Sequence, residues 1–165
     1  MGWRKTHFFM NLFILRHGTA VNSEKDLQDF ERKLCENGIL QAVKIADFLK
    51  NKNIEQIISS SATRAFETAT IIDQIIKVDL FSEFEKLYLA DLNTIKAILA
   101  ETAVKENVLF VGHNFGISDL VTHLTGESLV LSTCMLIETK LEVDNWYMLS
   151  NDTCIVKNIT EPNNL

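Results

Sequence analysis

The chain predicts an α/β domain with a mostly parallel, doubly wound sheet flanked by helices. Two observations carry that expectation. Short apolar runs alternate along the chain with segments of helical period, the pattern of repeated strand–helix units. Three of the runs also end the same way: Phe8–Leu15 on Arg16-His17-Gly18, Gln56–Ser59 on Ser60-Ser61-Ala62-Thr63-Arg64, and Val108–Val111 on Gly112-His113-Asn114. Carboxyl ends of parallel strands lie side by side, and ligands bind in the crevice outside them. Three basic or imidazole side chains at such ends make one site from distant parts of the chain.

The elements follow in order. Strand one is read over Phe8–Leu15, and the polar stretch Asn22–Phe30 is a loop. Glu36–Asn51 reads as a helix, with Leu40, Val43, Ala46 and Leu49 along one face. Gln56–Ser59 is strand two, and a helix runs from Ala62 to Ile76, capped by Ser60 or Ser61. Val78–Phe81 is a short strand, and Asp91–Val104 a helix opened by Asp91 or Asn93. Asn107–Val111 is strand three; Asn114 then caps a helix reaching Leu124. Thr133–Glu138 and Asn145–Ser150 read as a strand pair turning at Glu142–Asp144, with Thr153–Lys157 as an edge. Residues 158–165, which hold the single proline, Pro162, read as a loose tail.

Bulk properties narrow the function. A chain of 165 residues fits one domain over 1–165, large enough to bury a core unaided. Its net charge of −6 excludes the basic footprint of a nucleic-acid binder, so an anion site must be a local positive cluster. Cys35, Cys134 and Cys154 are odd in number and scattered, which argues against a disulfide framework and for the cytoplasm. The apolar stretch after Arg4-Lys5 is too short to span a bilayer and runs into Arg16-His17, so no membrane partner is expected. Residues 1–9 read as an extension, since Met10 is an equally good start. No GxxxxGK loop, HExxH pair or Cys-x5-Arg loop is present, so no metal or cofactor is expected.

Phosphoryl transfer needs positive charge around three equatorial oxygens and a nucleophile in line. Arg16 and Arg64 supply forked donors that suit phosphate oxygens. Either His17 or His113 has the chemistry of the nucleophile. His17 is favoured, because it sits on the glycine turn beside Arg16, where backbone allows close approach. Arginines beside it disfavour the imidazolium and keep its attacking nitrogen free. His7 starts the first strand, about 30 Å from His17 by strand rise, and His123 sits near a helix end; neither shares the site.

These residues carry a resemblance. Leu15-Arg16-His17-Gly18-Thr19-Ala20, then Ser60 to Ala69, then Val111-Gly112-His113-Asn114 resemble the three signatures of the histidine phosphatase superfamily. Arg32-Lys33-Leu34-Cys35-Glu36-Asn37-Gly38 is similar to a stretch of its SixA-type phosphohistidine phosphatase branch, with Lys33 and Cys35 in place of the common proline and threonine. The resemblance implies a phosphoglycerate mutase-like fold. It implies His17 as the phosphorylated nucleophile, a phosphate pocket of Arg16, Arg64 and His113, and Asn114 and Thr19 as further substrate-binding residues. Glu85 in Glu85-Lys86-Leu87-Tyr88 resembles the general acid of mutase-like relatives. The implied substrate is a phosphohistidine on a protein, hydrolysed through a covalent phosphohistidine intermediate without a metal. Two alternatives stay open: a small phosphomonoester with the same mechanism, or a catalytically silent phosphate-binding module.

Overall fold

The structure is a computed structural model that describes residues 10–22 and 28–165. It contains a six-stranded sheet in the order β3-β2-β4-β1-β5-β6. The strands are β1 Asn11–Arg16, β2 Gln56–Ser60, β3 Leu80–Phe84, β4 Asn107–Gly112, β5 Leu136–Leu141 and β6 Cys154–Thr160. β1 pairs in parallel with β4, β4 with β2 and β2 with β3; β5 alone runs against its neighbours, antiparallel to both β1 and β6. The mostly parallel α/β architecture expected from the sequence is therefore present.

Both faces are covered, which is why the central strands are continuous apolar runs. Leu12, Ile14, Ile58, Val108 and Phe110 face helices α3 (Leu92–Thr102) and α4 (Gly116–Thr125). Phe13, Leu15, Ile57, Leu109 and Val111 face α1 (Glu36–Leu49) and α2 (Thr63–Ile76). Each fully buried side chain of this kind contributes roughly 1.5–3 kcal/mol, so the period-two alternation holds the strand register firmly.

Register sets the functional edge. Arg16 lies opposite Gly112, and Ser59 opposite Val111, so Arg16, Ser60 and Gly112 end their strands at one level. His17 and His113 follow directly.

Several elements differ from the sequence reading. β1 starts at Asn11; Phe8 and Phe9 lie outside the described residues. The buried face of α1 is Gly38, Gln41, Ala42, Ile45, Ala46 and Leu49, while Leu40 is exposed. Steps of three residues drift around a helix with 3.6 residues per turn, so the expected row at 40, 43, 46 and 49 leaves the core within two turns. α2 takes Ala62 as its N-cap without a side-chain bond, and neither Ser60 nor Ser61 caps it. Ser60 instead completes β2. β3 runs over Leu80–Phe84, starting two residues and ending three residues later than the expected 78–81 strand. α3 does begin on Asp91, whose carboxylate accepts from the Thr94 amide at 2.8 Å. α4 starts at Gly116 after Phe115, because the Asn114 side chain is bonded elsewhere.

The carboxyl-terminal third differs most. Residues 145–150 form no strand; Trp146–Met148 is a 3-10 turn whose buried Trp146 donates from Nε1 to the Lys105 carbonyl. The partner of β5 is β6. The tail is docked as well: Pro162–Asn164 forms a 3-10 turn, Pro162 is buried, and Lys44 Nζ donates to its carbonyl at 3.0 Å. No described helix is long and apolar enough to cross a membrane.

The first loop of the functional edge rests on α1. A Cβ at Gly38 would stand 2.0 Å from the Thr19 carbonyl oxygen, and one at Gly18 would stand 2.8 Å from the Gly38 carbonyl oxygen. Backbone meets backbone here, so no side chain can yield. Gly38→Ala is expected to destabilise the protein by roughly 1–3 kcal/mol, read as a lower Tm; an unchanged Tm would show that this contact does not hold the loop.

Candidate active site

A cavity of about 580 Å³ opens at the carboxyl ends of β1, β2 and β4. Arg16, His17, Thr19, Arg64, His113 and Asn114 all line it. Six of the seven residues predicted for the site thus converge. The seventh, Glu85, is exposed on a 3-10 turn, Glu85–Leu87, and is absent from the cavity wall.

The state of His17 follows from its neighbours. Its Nδ1 lies 2.8 Å from the Gly18 carbonyl oxygen, which only accepts, so Nδ1 carries the ring proton. Nε2 then keeps its lone pair, and Arg64 Nε donates to it at 3.2 Å. Burial lowers the His17 pKa to about 4; the Gly18 bond opposes this, and the cationic Arg64, Arg16 and Arg32 add to it. His113, its ring centroid 5.1 Å away, is lowered to about 3, first by burial and then by His17 and Arg64. Both imidazoles are neutral near pH 7.

The guanidinium groups are held by backbone and by one carboxylate. Arg16 Nη1 donates to the Leu131 carbonyl at 2.8 Å. Arg64, almost fully buried, donates from Nη1 to the Asp29 carbonyl at 2.6 Å and from Nη2 to Asp29 Oδ2 at 3.0 Å. Asp29 also accepts from the Tyr88 hydroxyl at 2.6 Å and from Arg32 Nη1 at 2.9 Å. The Tyr88 and Arg32 bonds, with Arg64 beside them, hold this carboxylate well below the ordinary range.

Two polar atoms in this wall have no hydrogen-bond partner among the described residues: Arg16 Nε and His113 Nδ1, both buried. An unmet buried polar atom costs about 1–3 kcal/mol. A pair of them beside Arg64 fits a tetrahedral anion offering several acceptor oxygens.

Thr19 and Asn114 line the cavity and also bond within the protein. The Thr19 hydroxyl donates to Gln41 Oε1 at 3.0 Å and lies 2.9 Å from Thr133 Oγ1. Asn114 donates to the Leu131 carbonyl and accepts from Ser118 Oγ. His123 is elsewhere, 2.8 Å from Lys96 Nζ, and His7 lies outside the described residues.

Sequence reasoning missed Asp29, Arg32 and Thr133 as cavity residues. Asp29 sits within the stretch read as a loop, and its only signal was the i,i+3 spacing to Arg32. Thr133 was read as the start of a strand.

Comparison with known proteins agrees with this geometry. Residues 12–87 match the histidine phosphatase superfamily (branch 1). An uncharacterized chloroplastic protein of Arabidopsis thaliana is 28% identical over 144 residues, covering 78% of this chain; the chain spans 65% of that relative's length. Among solved structures, the protein histidine phosphatase SixA complexed with tungstate superposes with a TM-score of 0.78 at 23% identity, over 94% of this chain and 99% of that one. A mycobacterial glucosyl-3-phosphoglycerate phosphatase gives a TM-score of 0.70 at 16% identity, over 90% and 97%. The match to the superfamily covers less than half of the chain, and the fold is that of the SixA-type phosphatases.

The buried, arginine-flanked position of His17 has a direct readout. Its ring resonances in an NMR titration are expected to turn over near pH 4, against about 6.5 for an ordinary histidine. A midpoint near the ordinary value would mean that the cavity does not keep the ring neutral by exclusion of water.

Proposed function

We propose that the protein is a phosphatase that removes phosphate from a phosphohistidine borne by another protein, through a phospho-His17 intermediate. The observation that carries this reading is a buried His17 whose Nε2 lone pair faces a cavity of guanidinium groups, with no carboxylic acid available there among the described residues. Glu85 lies off the wall, and Asp29 is held ionised by three donors.

The steps follow from those atoms. Substrate phosphate binds against Arg16 and Arg64, and His113 Nδ1 contributes a further contact. The Nε2 lone pair attacks phosphorus while the bond to the leaving nitrogen breaks in line. The positive charge that develops on the His17 ring is offset by the Nδ1–H bond to the Gly18 carbonyl. Water then attacks phospho-His17 in line, inorganic phosphate departs, and Nε2 regains its lone pair.

Leaving-group chemistry selects the substrate class. An alkoxide leaves poorly without a proton from the protein, whereas imidazole departing from a phosphohistidine needs little help. A cavity whose one acidic side chain among the described residues, Asp29, is locked as a carboxylate suits the second. The SixA fold and its tungstate complex support the same reading, since tungstate is a tetrahedral oxyanion. A reducing compartment such as the cytoplasm suits Cys35, Cys134 and Cys154, all free thiols.

Quenching the enzyme during turnover of a phosphohistidine protein is expected to trap acid-labile phosphate on His17. Its absence with every phosphodonor would leave a phosphate-binding module. His17→Ala should abolish turnover while retaining some phosphate binding, so residual hydrolysis by the pure variant would refute the nucleophile. Glu85→Gln should stay within about twofold of wild type on phosphohistidine, within the range of surface substitutions; a large loss would restore Glu85 as the acid.

A further inference from the structure

Ser60 ends β2 beside Gly112, one residue before His113, and is fully buried. Its Oγ lies 2.9 Å from His113 Nε2 and accepts from the Ala62 amide at 3.2 Å. We propose that Ser60 sets the ring tautomer of His113, so that Nδ1 carries the proton offered to the transferring phosphoryl group. The proposal rests on the phosphoryl-transfer reading of the cavity and adds a positioning residue to it.

Counting protons on Ser60 and His113 fixes the tautomer. A hydroxyl has one proton to give and two lone pairs to fill. The Ala62 N–H fills one lone pair. Among the described residues, the remaining partner within reach of Oγ is His113 Nε2. The Ser60 proton therefore goes to Nε2, which must present a lone pair. A neutral imidazole carries one N–H, so the proton is on Nδ1.

The opposite tautomer fails twice. With the proton on Nε2, two donors would crowd Ser60 Oγ and the buried hydroxyl proton would have no acceptor. Nδ1 would then be a bare lone pair in the cavity wall, repelling the oxygens of an incoming phosphate. The Nδ1–H tautomer matches Arg16 Nε, the other buried polar atom without a partner. Both become donors for the same anion. The two histidines thus carry their protons on the same ring position for different ends: in His17 this frees Nε2 to attack, and in His113 it supplies a donor.

The test reads the proton directly. In the unliganded full chain with nitrogen-15-labelled histidine, at pH 7, the His113 ring is expected to show protonated Nδ1 and bare Nε2. A protonated Nε2 overturns the proposal whatever the activity. Ser60→Ala should let the Nε2–H form appear and weaken binding of inorganic phosphate about ten- to a hundredfold, the range for a lost hydrogen bond to a charged group. Ser60→Thr, which keeps the hydroxyl, should restore both. In a His113→Ala background, Ser60→Ala should cost nothing more, because Ser60 acts through that ring; additive losses would overturn this. If Ser60→Ala does not fold, the wild-type spectrum and the Thr variant still decide. Failure to trap phosphate on His17 with Nδ1–H intact would remove the phosphatase reading and leave the tautomer assignment standing.

Discussion

The parallel pairing of β1, β4 and β2 is the constraint on which the site depends. Arg16 and His17 leave one strand, Ser60 a second, and His113 a third, and no local sequence joins them. Their distances are fixed by strand spacing and by a register that places Arg16 opposite Gly112. A slip of one residue would exchange the two apolar faces of a strand buried on both sides, driving Leu12 and Ile14 against the wrong helices. The hydrophobic core is therefore also the alignment device of the cavity, and helix α1 adds to it by packing Gly38 against the loop after His17.

Charge works at a different scale. The whole chain repels anions, yet among the described residues the cavity gathers three guanidinium groups against a single carboxylate. Burial makes this cluster expensive, and the protein offsets the cost with carbonyls and Asp29 rather than with water. The same burial keeps both imidazoles neutral. A site of permanent cations and uncharged rings is well matched to phosphate: the cations supply attraction, and the rings, to which the proposed function gives a nucleophile and a directional contact, add no repulsion between themselves.

The alternation of strands and helices and the polar groups at three strand ends were legible because each is a local pattern repeated along the chain. The two catalytic imidazole candidates and their arginines could be named on that ground alone. Ser60 was misread because a serine before a helix is most often a cap, and nothing local says that a histidine 53 residues away will claim its hydroxyl. Residues 145–150 looked like a strand because Trp146, Tyr147 and Met148 are apolar, but Trp146 anchors a turn through its indole N–H. The docked tail likewise depends on Lys44 and α1, which sequence order conceals.

Glu85 and Tyr88, close together on one turn, meet different surroundings. The turn at Glu85–Leu87 leaves the carboxylate outside and brings the phenol in, where Tyr88 donates to Asp29 and stacks edge-on to His113. The Tyr88 proton is itself held more tightly by Asp29. It is thus committed to Asp29, and Asp29 is committed to being a carboxylate that steadies Arg64 and Arg32. Among the described residues of this network, none carries the acidic proton that a poor leaving group would require. What the network supplies is rigid positive charge, and under the proposed function that charge serves a phosphate whose leaving group departs readily without help.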